Sequence, residues 1–139
     1  MEVIIVAKTH MPSAACVGGV LSDGRSVRLL SAKGHQQSAK TKLKVGDVYT
    51  ITFSEREKKP PHVEDILINS AEYKFSFLTI TKMVEHLKEE LKVKIWRGSV
   101  EILFDNKLRW TREGTGFISR RGELPNSSVG FWIPDRDLT

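Results

Sequence analysis

The sequence predicts a mainly β chain with one packing helix, arranged as two small barrel units of which the second is abbreviated. Two observations lead to this prediction: short apolar runs alternate with turn residues along most of the chain, and only one stretch has helical periodicity. The chain has 139 residues, 40% hydrophobic and 28% charged, which is an ordinary globular composition. We place the two units at residues 1–72 and 73–139, and a single fused compact domain is the alternative.

Five short strands are predicted in the first half of the chain. The first is a nearly continuous run of valine and isoleucine, which is typical of a buried central strand. The fourth alternates, and we assign the face with Tyr49, Ile51 and Phe53 to the core. Five strands at this spacing favour a small closed or nearly closed barrel. The predicted strands span residues 2–8, 15–21, 26–30, 48–55 and 62–69.

Turn chemistry indicates how these strands are joined. Asp23-Gly24 lies between two apolar runs and predicts a type I′ turn, in which both central residues have positive φ, and therefore an antiparallel hairpin. Gly18 and Gly19, inside the second strand, predict a sharp bend, a bulge or a close approach of two backbones. Residues 45–47, Val-Gly-Asp, predict a further turn before the fourth strand.

The helical stretch spans residues 79–91. Its apolar residues recur at three- and four-residue spacing, and its polar side mixes lysine with glutamate. We therefore expect it to pack against the core or to cap one end of a barrel, in preference to binding a membrane or a partner. The apolar residues are Ile80, Met83, Val84, Leu87 and Leu91.

The second half returns to strands. Residues 99–104 and 107–111, joined by a turn at Asp105-Asn106, predict a second hairpin. Residues 116–119 and 129–133 predict two more strands, and Pro134 ends the last of them.

Several stretches resemble one protein family over nearly the whole chain. They are VIIVAKT (3–9), CVGGV (16–20), SVRLL (26–30), PPHVED (60–65), GTGFI (114–118) and GFWIPD (130–135). These stretches resemble the bacterial dual OB-containing domain proteins. The resemblance implies two small OB-like units and a capacity to bind nucleic acid, and it supplies no catalytic residues to carry over.

The charge balance favours a polyanionic partner. Lysine and arginine number 22 against 17 aspartate and glutamate, a formal net charge of +5. Residues 24–46 contain no carboxylate and are therefore positive in any fold, although a solvated loop that only aids solubility is the alternative. The candidate nucleic-acid-binding residues in this stretch are Arg25, Arg28, Lys33, Lys40, Lys42 and Lys44.

A second set of candidate cations is interleaved with aromatic residues. Single-stranded nucleic acid is bound by cations that contact its backbone and by flat rings on which its bases stack. Trp96, Trp110 and Phe117 lie close in sequence to such cations. We expect Trp110 and Trp132 to lie in the core, with a role as stacking platforms as the alternative. The candidate cations are Arg97, Arg109, Arg112, Arg120 and Arg121.

Catalytic and metal-binding signatures are missing from the sequence. One cysteine and four dispersed histidines give no metal-ligand spacing, and the sequence has no phosphate-binding glycine loop and no nucleophile elbow. We expect no metal, no cofactor and a non-nucleophilic Cys16. His62 and Glu64 would share one face of an extended strand, and we favour structural bracing over catalysis for this pair.

The sequence therefore predicts a non-enzymatic module that binds single-stranded or structured nucleic acid. The lone thiol and an acidic, short apolar start favour a cytoplasmic protein without a membrane segment. The alternative is a protein-interaction or sensor module that partners a larger effector protein. That alternative predicts an exposed apolar patch, for which Phe75, Phe77 and Phe131 are the candidates.

Overall fold

A computed structural model describes residues 1–57, 62–119 and 124–137 of the chain. The chain folds as two compact units. The first contains residues 1–57 and 64–93, and the second contains residues 58–63 and 94–139. Residues 73–93, which the sequence-based division assigned to the second half, group with the first unit.

The first unit is a closed five-stranded barrel with one short additional strand. Its strand order is β1-β5-β6-β3-β2, and pairing of β1 with β2 closes the barrel. β3 and β6 run parallel, and the other neighbours are antiparallel. This is the architecture of a small Greek-key barrel, so the predicted fold class is confirmed. The strands are β1 (Glu2–His10), β2 (Ala14–Leu21), β3 (Ser26–Ser31), β4 (Gln37–Ser38), β5 (Asp47–Glu55) and β6 (Asp65–Ser76).

The barrel interior is an apolar core to which every long strand contributes. Val3 and Ile5 of β1 point inward beside Val17 and Leu21 of β2, and all four are fully buried. Alternation along β5 also holds, because Tyr49 and Ile51 are buried in this core, Phe53 packs against it, and Thr50 and Thr52 are exposed.

A second apolar layer lies on the outside of the barrel. Ile4, Val48 and Phe75 are cross-strand neighbours on β1, β5 and β6. Helix α1 (Ile80–Glu89) lies over this row, since its His86 lines a cavity of about 90 Å³ together with these residues. The helix explains why Val48 is buried although it alternates with the inward-facing residues of β5.

Only part of the apolar face of α1 is buried. Thr79 caps its N-terminus by accepting a hydrogen bond from the backbone N–H of Lys82 at 3.1 Å. Met83 and Leu87 are buried, as the helical period predicted. Ile80 and Val84 are exposed, so the expectation that they would pack into the core is wrong.

The hairpin between β2 and β3 forms, but its turn is not type I′. The N–H of Gly24 bonds to the carbonyl of Leu21 at 2.8 Å, which places Ser22 and Asp23 at the centre of the turn. Of these residues only Gly24 has positive φ, at +87°. The connection is therefore a three-residue loop that ends in one left-handed glycine, and a Cβ at Gly24 would lie 2.9 Å from the carbonyl oxygen of Leu91.

The glycine pair in β2 allows the close approach predicted for it. A Cβ built on Gly19 would lie 2.6 Å from Cγ2 of Val3 and 2.9 Å from the carbonyl oxygen of Ile4. The β1–β2 register shifts between Ile5 and Ala7, so a β-bulge in β1 lies opposite the glycines.

The last barrel strand differs from its prediction at both ends. Val63 and Glu64 form a turn, and β6 starts at Asp65 and continues to Ser76, well beyond the predicted end at residue 69. The extension pairs with β5 throughout its length. Its side chains are exposed, and the prediction did not include the alternation of Tyr73 and Phe75 with polar residues.

The described part of the second unit contains two separate two-stranded sheets. β7 (Ile95–Gly98) pairs in parallel with β10 (Phe131–Pro134), and β8 (Leu108–Trp110) pairs antiparallel with β9 (Gly116–Ile118). β8, β9 and β10 confirm three of the predicted strands, including the end at Pro134. β7 was not predicted.

The strand predicted at residues 99–104 is wrong. A short 3-10 helix spans Val100–Ile102, and a helical turn follows at Leu103–Asn106. In this turn Phe104, Asp105 and Asn106 all have positive φ, a conformation that aspartate and asparagine tolerate better than most residues. The chain therefore reverses before β8 without a preceding strand partner.

Candidate nucleic-acid interface

The loop between β3 and β5 displays three lysines on a segment that the barrel holds in place. Leu43 is 7% exposed and belongs to the apolar core. Its two neighbours in sequence, Lys42 and Lys44, are both exposed. Tyr49 donates a hydrogen bond from its hydroxyl to the carbonyl of Lys42 at 3.3 Å, which ties the segment to β5. Burial of Tyr49 raises the pKa of this hydroxyl, so it stays protonated and able to donate.

Two hydrogen bonds align this segment with β1. Nζ of Lys8 donates to the carbonyl of Thr41 at 3.2 Å, and the N–H of Gly46 donates to the carbonyl of Ile5 at 2.9 Å. Lys8 therefore adds a cation beside the loop. It was not among the predicted residues, because its contact spans 33 positions in sequence. We call Lys8, Lys40, Lys42 and Lys44 the lysine face.

In the described part of the chain the loop lysines lack a neutralising carboxylate. Among the described residues no carboxylate forms an ion pair with Lys40, Lys42 or Lys44. Lys33 is exposed as well, on a separate turn closed by the N–H of Gly34 and the carbonyl of Ser31.

Two predicted arginines are engaged within the barrel. Arg28 makes a bidentate ion pair with Asp65 at 2.6 and 2.8 Å, across the parallel ladder between β3 and β6. Hydrogen bonding to Asp65 raises the pKa of Arg28 against the opposing effect of burial. Arg25 pairs with Glu55 at 2.8 Å and lies over the ring of Phe53. The structure therefore does not group these arginines with the loop lysines.

The predicted cations of the second unit lie on its strands and turns. Arg97 is exposed on β7, and Arg112 is exposed in the turn between β8 and β9. Arg109 pairs across the β8–β9 ribbon with Phe117, and both side chains are exposed. The two residues are opposed in the ladder, but the guanidinium of Arg109 donates to the carbonyls of Asn106 at 3.1 Å and Leu108 at 3.3 Å. Arg120 and Arg121 lie outside the described residues.

The three tryptophans have different environments. Trp110 is 46% exposed, so its assignment to the core is wrong, and it lies against Gly116 of β9. Trp132 is half-buried and donates its indole N–H to the carbonyl of Gly98 at 3.0 Å. Trp96 is buried and donates to Asp105 at 3.3 Å.

The carboxylate of Asp105 connects Trp96 to a neighbouring cation. Lys94 donates to the same oxygen of Asp105 at 2.9 Å. These two hydrogen bonds, that of Lys94 first, lower the pKa of Asp105 from its ordinary value. The arrangement stabilises the turn at residues 103–106 and leaves Trp96 unable to stack on a base.

The remaining candidate groups show no assembled reactive site in the part of the chain that is described. Glu64 is buried, and the turn at residues 63 and 64 removes the extended geometry on which the pairing with His62 depended. Cys16 is half-buried. No group of three metal-ligating side chains occurs among the described residues. None of the helices described is long and apolar enough to cross a membrane.

An open groove of about 460 Å³ lies where the end of β6 meets α1. Phe75 and Phe77, two residues of the predicted apolar patch, line it. Phe131, the third, is a half-buried residue of the second unit. Of the first unit's described aromatic side chains, Tyr73 and Phe75 are exposed, and of these two Phe75 lines the groove.

A family model described as "Dual OB-containing domain" matches residues 1–139. The chain belongs to the dual OB-containing domain family. The comparisons with curated proteins and with solved structures each gave no match. An OB-containing domain is compatible with nucleic-acid or protein partners, and the residues on its surface decide between them.

Proposed function

We propose that this dual OB-containing domain protein is a non-enzymatic module that binds single-stranded or structured nucleic acid through the lysine face. The observation that supports the proposal is the contrast between two groups of cations. Arg25 and Arg28 are ion-paired within the barrel, whereas Lys40, Lys42 and Lys44 are exposed on a tethered loop without a carboxylate partner among the described residues.

The proposed mechanism is electrostatic. Lysines that neutralise phosphates release condensed counterions, and this release supplies a sequence-independent part of the binding free energy. The anchored Leu43 and the hydrogen bond from Tyr49 restrict the loop before the ligand arrives. Less conformational entropy is then lost on binding.

Stacking is the proposed contribution of the second unit. Phe117 and Trp110 are exposed on opposite faces of the β8–β9 ribbon, and Arg109 is the ladder partner of Phe117. Stacking of one base on such a ring contributes about 1 to 3 kcal/mol. Phe117→Ala is expected to weaken binding of a single strand more than binding of a duplex, whose bases are already stacked.

Fluorescence anisotropy with a labelled single-stranded oligonucleotide tests the proposal. The test variant is K40Q/K42Q/K44Q, and the matched control is K82Q/K88Q/K92Q, which removes the same charge from exposed positions in and after α1. At low salt the test variant is expected to bind about tenfold more weakly than wild type, and the control to bind within about twofold of wild type. Equal weakening by both variants, or no anisotropy change with wild type, would refute the proposal.

A further inference from the structure

The groove between β6 and α1 differs in character from the lysine face. Its floor is aromatic, since Phe75 and Phe77 meet edge to face at 5.5 Å and Phe77 contacts the ring of His86 at 5.5 Å. Leu78 lines the same groove and is 95% exposed. A ligand that covers Leu78 and the edges of the two phenylalanines would remove apolar surface from water, which is favourable.

The wall of this groove is acidic. Glu85 and Glu89, four positions apart on one face of α1, line it together with Glu90, the residue that follows the helix. Lys82 is the one cation among the described lining residues, and its ammonium is 3.9 Å from Glu85. The groove is therefore locally negative on a protein whose formal net charge is +5.

An unpaired strand edge leads into the groove. β3 pairs with β6 only along residues 65–68. Beyond Ile68, β6 pairs on one side with β5, and no strand in the described part of the chain pairs with its other side. Such an edge presents backbone N–H and carbonyl groups to which an extended peptide can add as a further strand.

From these three observations we propose that the groove and the adjoining edge of β6 bind a cationic peptide segment of another protein. The segment is extended, pairs with β6 beyond Ile68, and carries an apolar side chain flanked by lysine or arginine. The apolar side chain lies against Phe75, Phe77 and Leu78, and the flanking cations face the glutamates of α1. The free edge favours a peptide over a small cation because it offers a row of backbone hydrogen bonds.

The negative charge of the groove also disfavours nucleic acid, the proposed ligand of the lysine face, at this site. A nucleic-acid backbone would meet the like charges of Glu85, Glu89 and Glu90. Nucleic acid and a cationic peptide are therefore expected to bind the protein together, at two surfaces of opposite charge.

The probe for this proposal is a fluorescein-labelled peptide in which lysine alternates with leucine and phenylalanine. Its controls are the same peptide with glutamate in place of lysine and the same peptide with serine in place of the apolar residues. We expect saturable micromolar binding of the probe to the wild-type chain and at least about tenfold weaker binding of either control peptide.

Two variants test the groove without disturbing the barrel core. L78S removes a side chain that is almost fully exposed, and E85Q/E89Q removes two charges from the wall. Each is expected to weaken binding of the probe about fivefold, and the effect of E85Q/E89Q is expected to fade at high salt. V45S and E113Q/D137N, which change exposed residues outside the groove, are the matched controls and should bind within about twofold of wild type.

Three results would overturn the proposal. One is equal affinity of the probe for L78S, E85Q/E89Q and the wild-type chain. Another is binding of the glutamate-containing control peptide as tightly as the probe, because an acidic groove cannot favour an anionic segment. The third is a concentration-dependent dimer in analytical ultracentrifugation that L78S abolishes, since the groove would then bind a second copy of this chain. Because the variants leave the lysine face intact, failure here is distinguishable from failure of nucleic-acid binding.

Discussion

Alanine substitutions at the two adjacent glycines of β2 should have opposite effects on stability. At Gly19, the new Cβ would lie 2.6 Å from Cγ2 of Val3, 2.9 Å from the carbonyl oxygen of Ile4 and 3.2 Å from Cδ1 of Leu29. Val3 and Leu29 are fully buried, and the carbonyl belongs to the neighbouring strand, so none of these atoms has free space to enter. At Gly18 the nearest atom is Cβ of Ala7 at 3.5 Å, an ordinary contact.

These contacts set the expected magnitudes. Overpacking of a filled core costs about 1 to 3 kcal/mol. Replacing glycine by alanine also lowers the entropy of the unfolded chain, which stabilises the folded state by about 0.4 to 1 kcal/mol where the backbone conformation permits. Neither Gly18 nor Gly19 has positive φ. We therefore expect G19A to lower the free energy of unfolding by about 2 kcal/mol and G18A to leave it unchanged or raise it by about 0.5 kcal/mol.

The assay is urea unfolding with a probe that reports on the barrel. Both tyrosines lie in the first unit, whereas all three tryptophans lie in the second. Far-ultraviolet circular dichroism reports on both units and selective tryptophan fluorescence on the second alone, so a circular-dichroism transition without a matching change in tryptophan fluorescence identifies unfolding of the barrel. The reasoning fails if G18A destabilises the barrel as much as G19A does, or if G19A is neutral.

Three further predictions concern individual contacts. Thr79→Ala removes the hydroxyl that accepts the hydrogen bond from the backbone N–H of Lys82 and so caps α1. It should lower the free energy of unfolding in urea by about 1 kcal/mol, whereas Thr79→Ser should retain most of the wild-type stability. Arg28→Met leaves the partly buried Asp65 without its bidentate partner and should cost about 2 kcal/mol, so a change below about 0.5 kcal/mol would contradict the assigned pair. Because the pKa of Asp105 is lower in the folded state, its ionised carboxylate stabilises the folded state at pH values above the ordinary pKa of 3.8. This stabilisation is lost as the pH falls through the lowered pKa. Asp105→Asn should flatten that acid dependence of tryptophan-monitored unfolding, and an unchanged dependence would show that the carboxylate is not responsible.

Local periodicity predicted the barrel because each of its strands has an apolar inward face or a fully apolar sequence. It placed four of the five long strands within two residues at either end. It missed the second half of β6, where residues 69–76 pair with β5 while their side chains remain exposed. Tyr73, Phe75 and Phe77 alternate with polar residues there and directly after it, so the period was present in the sequence but the prediction ended the strand at Asn69.

The second unit shows a different limit of sequence reasoning. Residues 99–104 have an apolar pattern compatible with a strand, yet three consecutive left-handed residues reverse the chain there. The positions of Phe104 and Asp105 are set by contacts with Trp96, eight and nine residues earlier. Such contacts override local propensity.

The candidate interface was predictable only in part. The absence of carboxylates between residues 24 and 46 indicated a basic surface, and Leu43 between two lysines was a readable sign of an anchored, outward-facing segment. The pairing of Arg28 with Asp65 spans 37 positions and has no local signal. Phe75 and Phe77 on the groove floor were candidates for an exposed apolar patch, but the acidic wall was not predicted because it comes from a different element, α1.

The salt dependence of oligonucleotide affinity tests the proposed lysine face most directly. For the wild-type chain, the logarithm of the association constant should fall linearly with the logarithm of the salt concentration. For K40Q/K42Q/K44Q the slope should be shallower by about 2, because each phosphate contact on a single strand contributes about 0.7. The K82Q/K88Q/K92Q control should retain the wild-type slope. Identical slopes for all three proteins would show that these loop lysines do not contact phosphate.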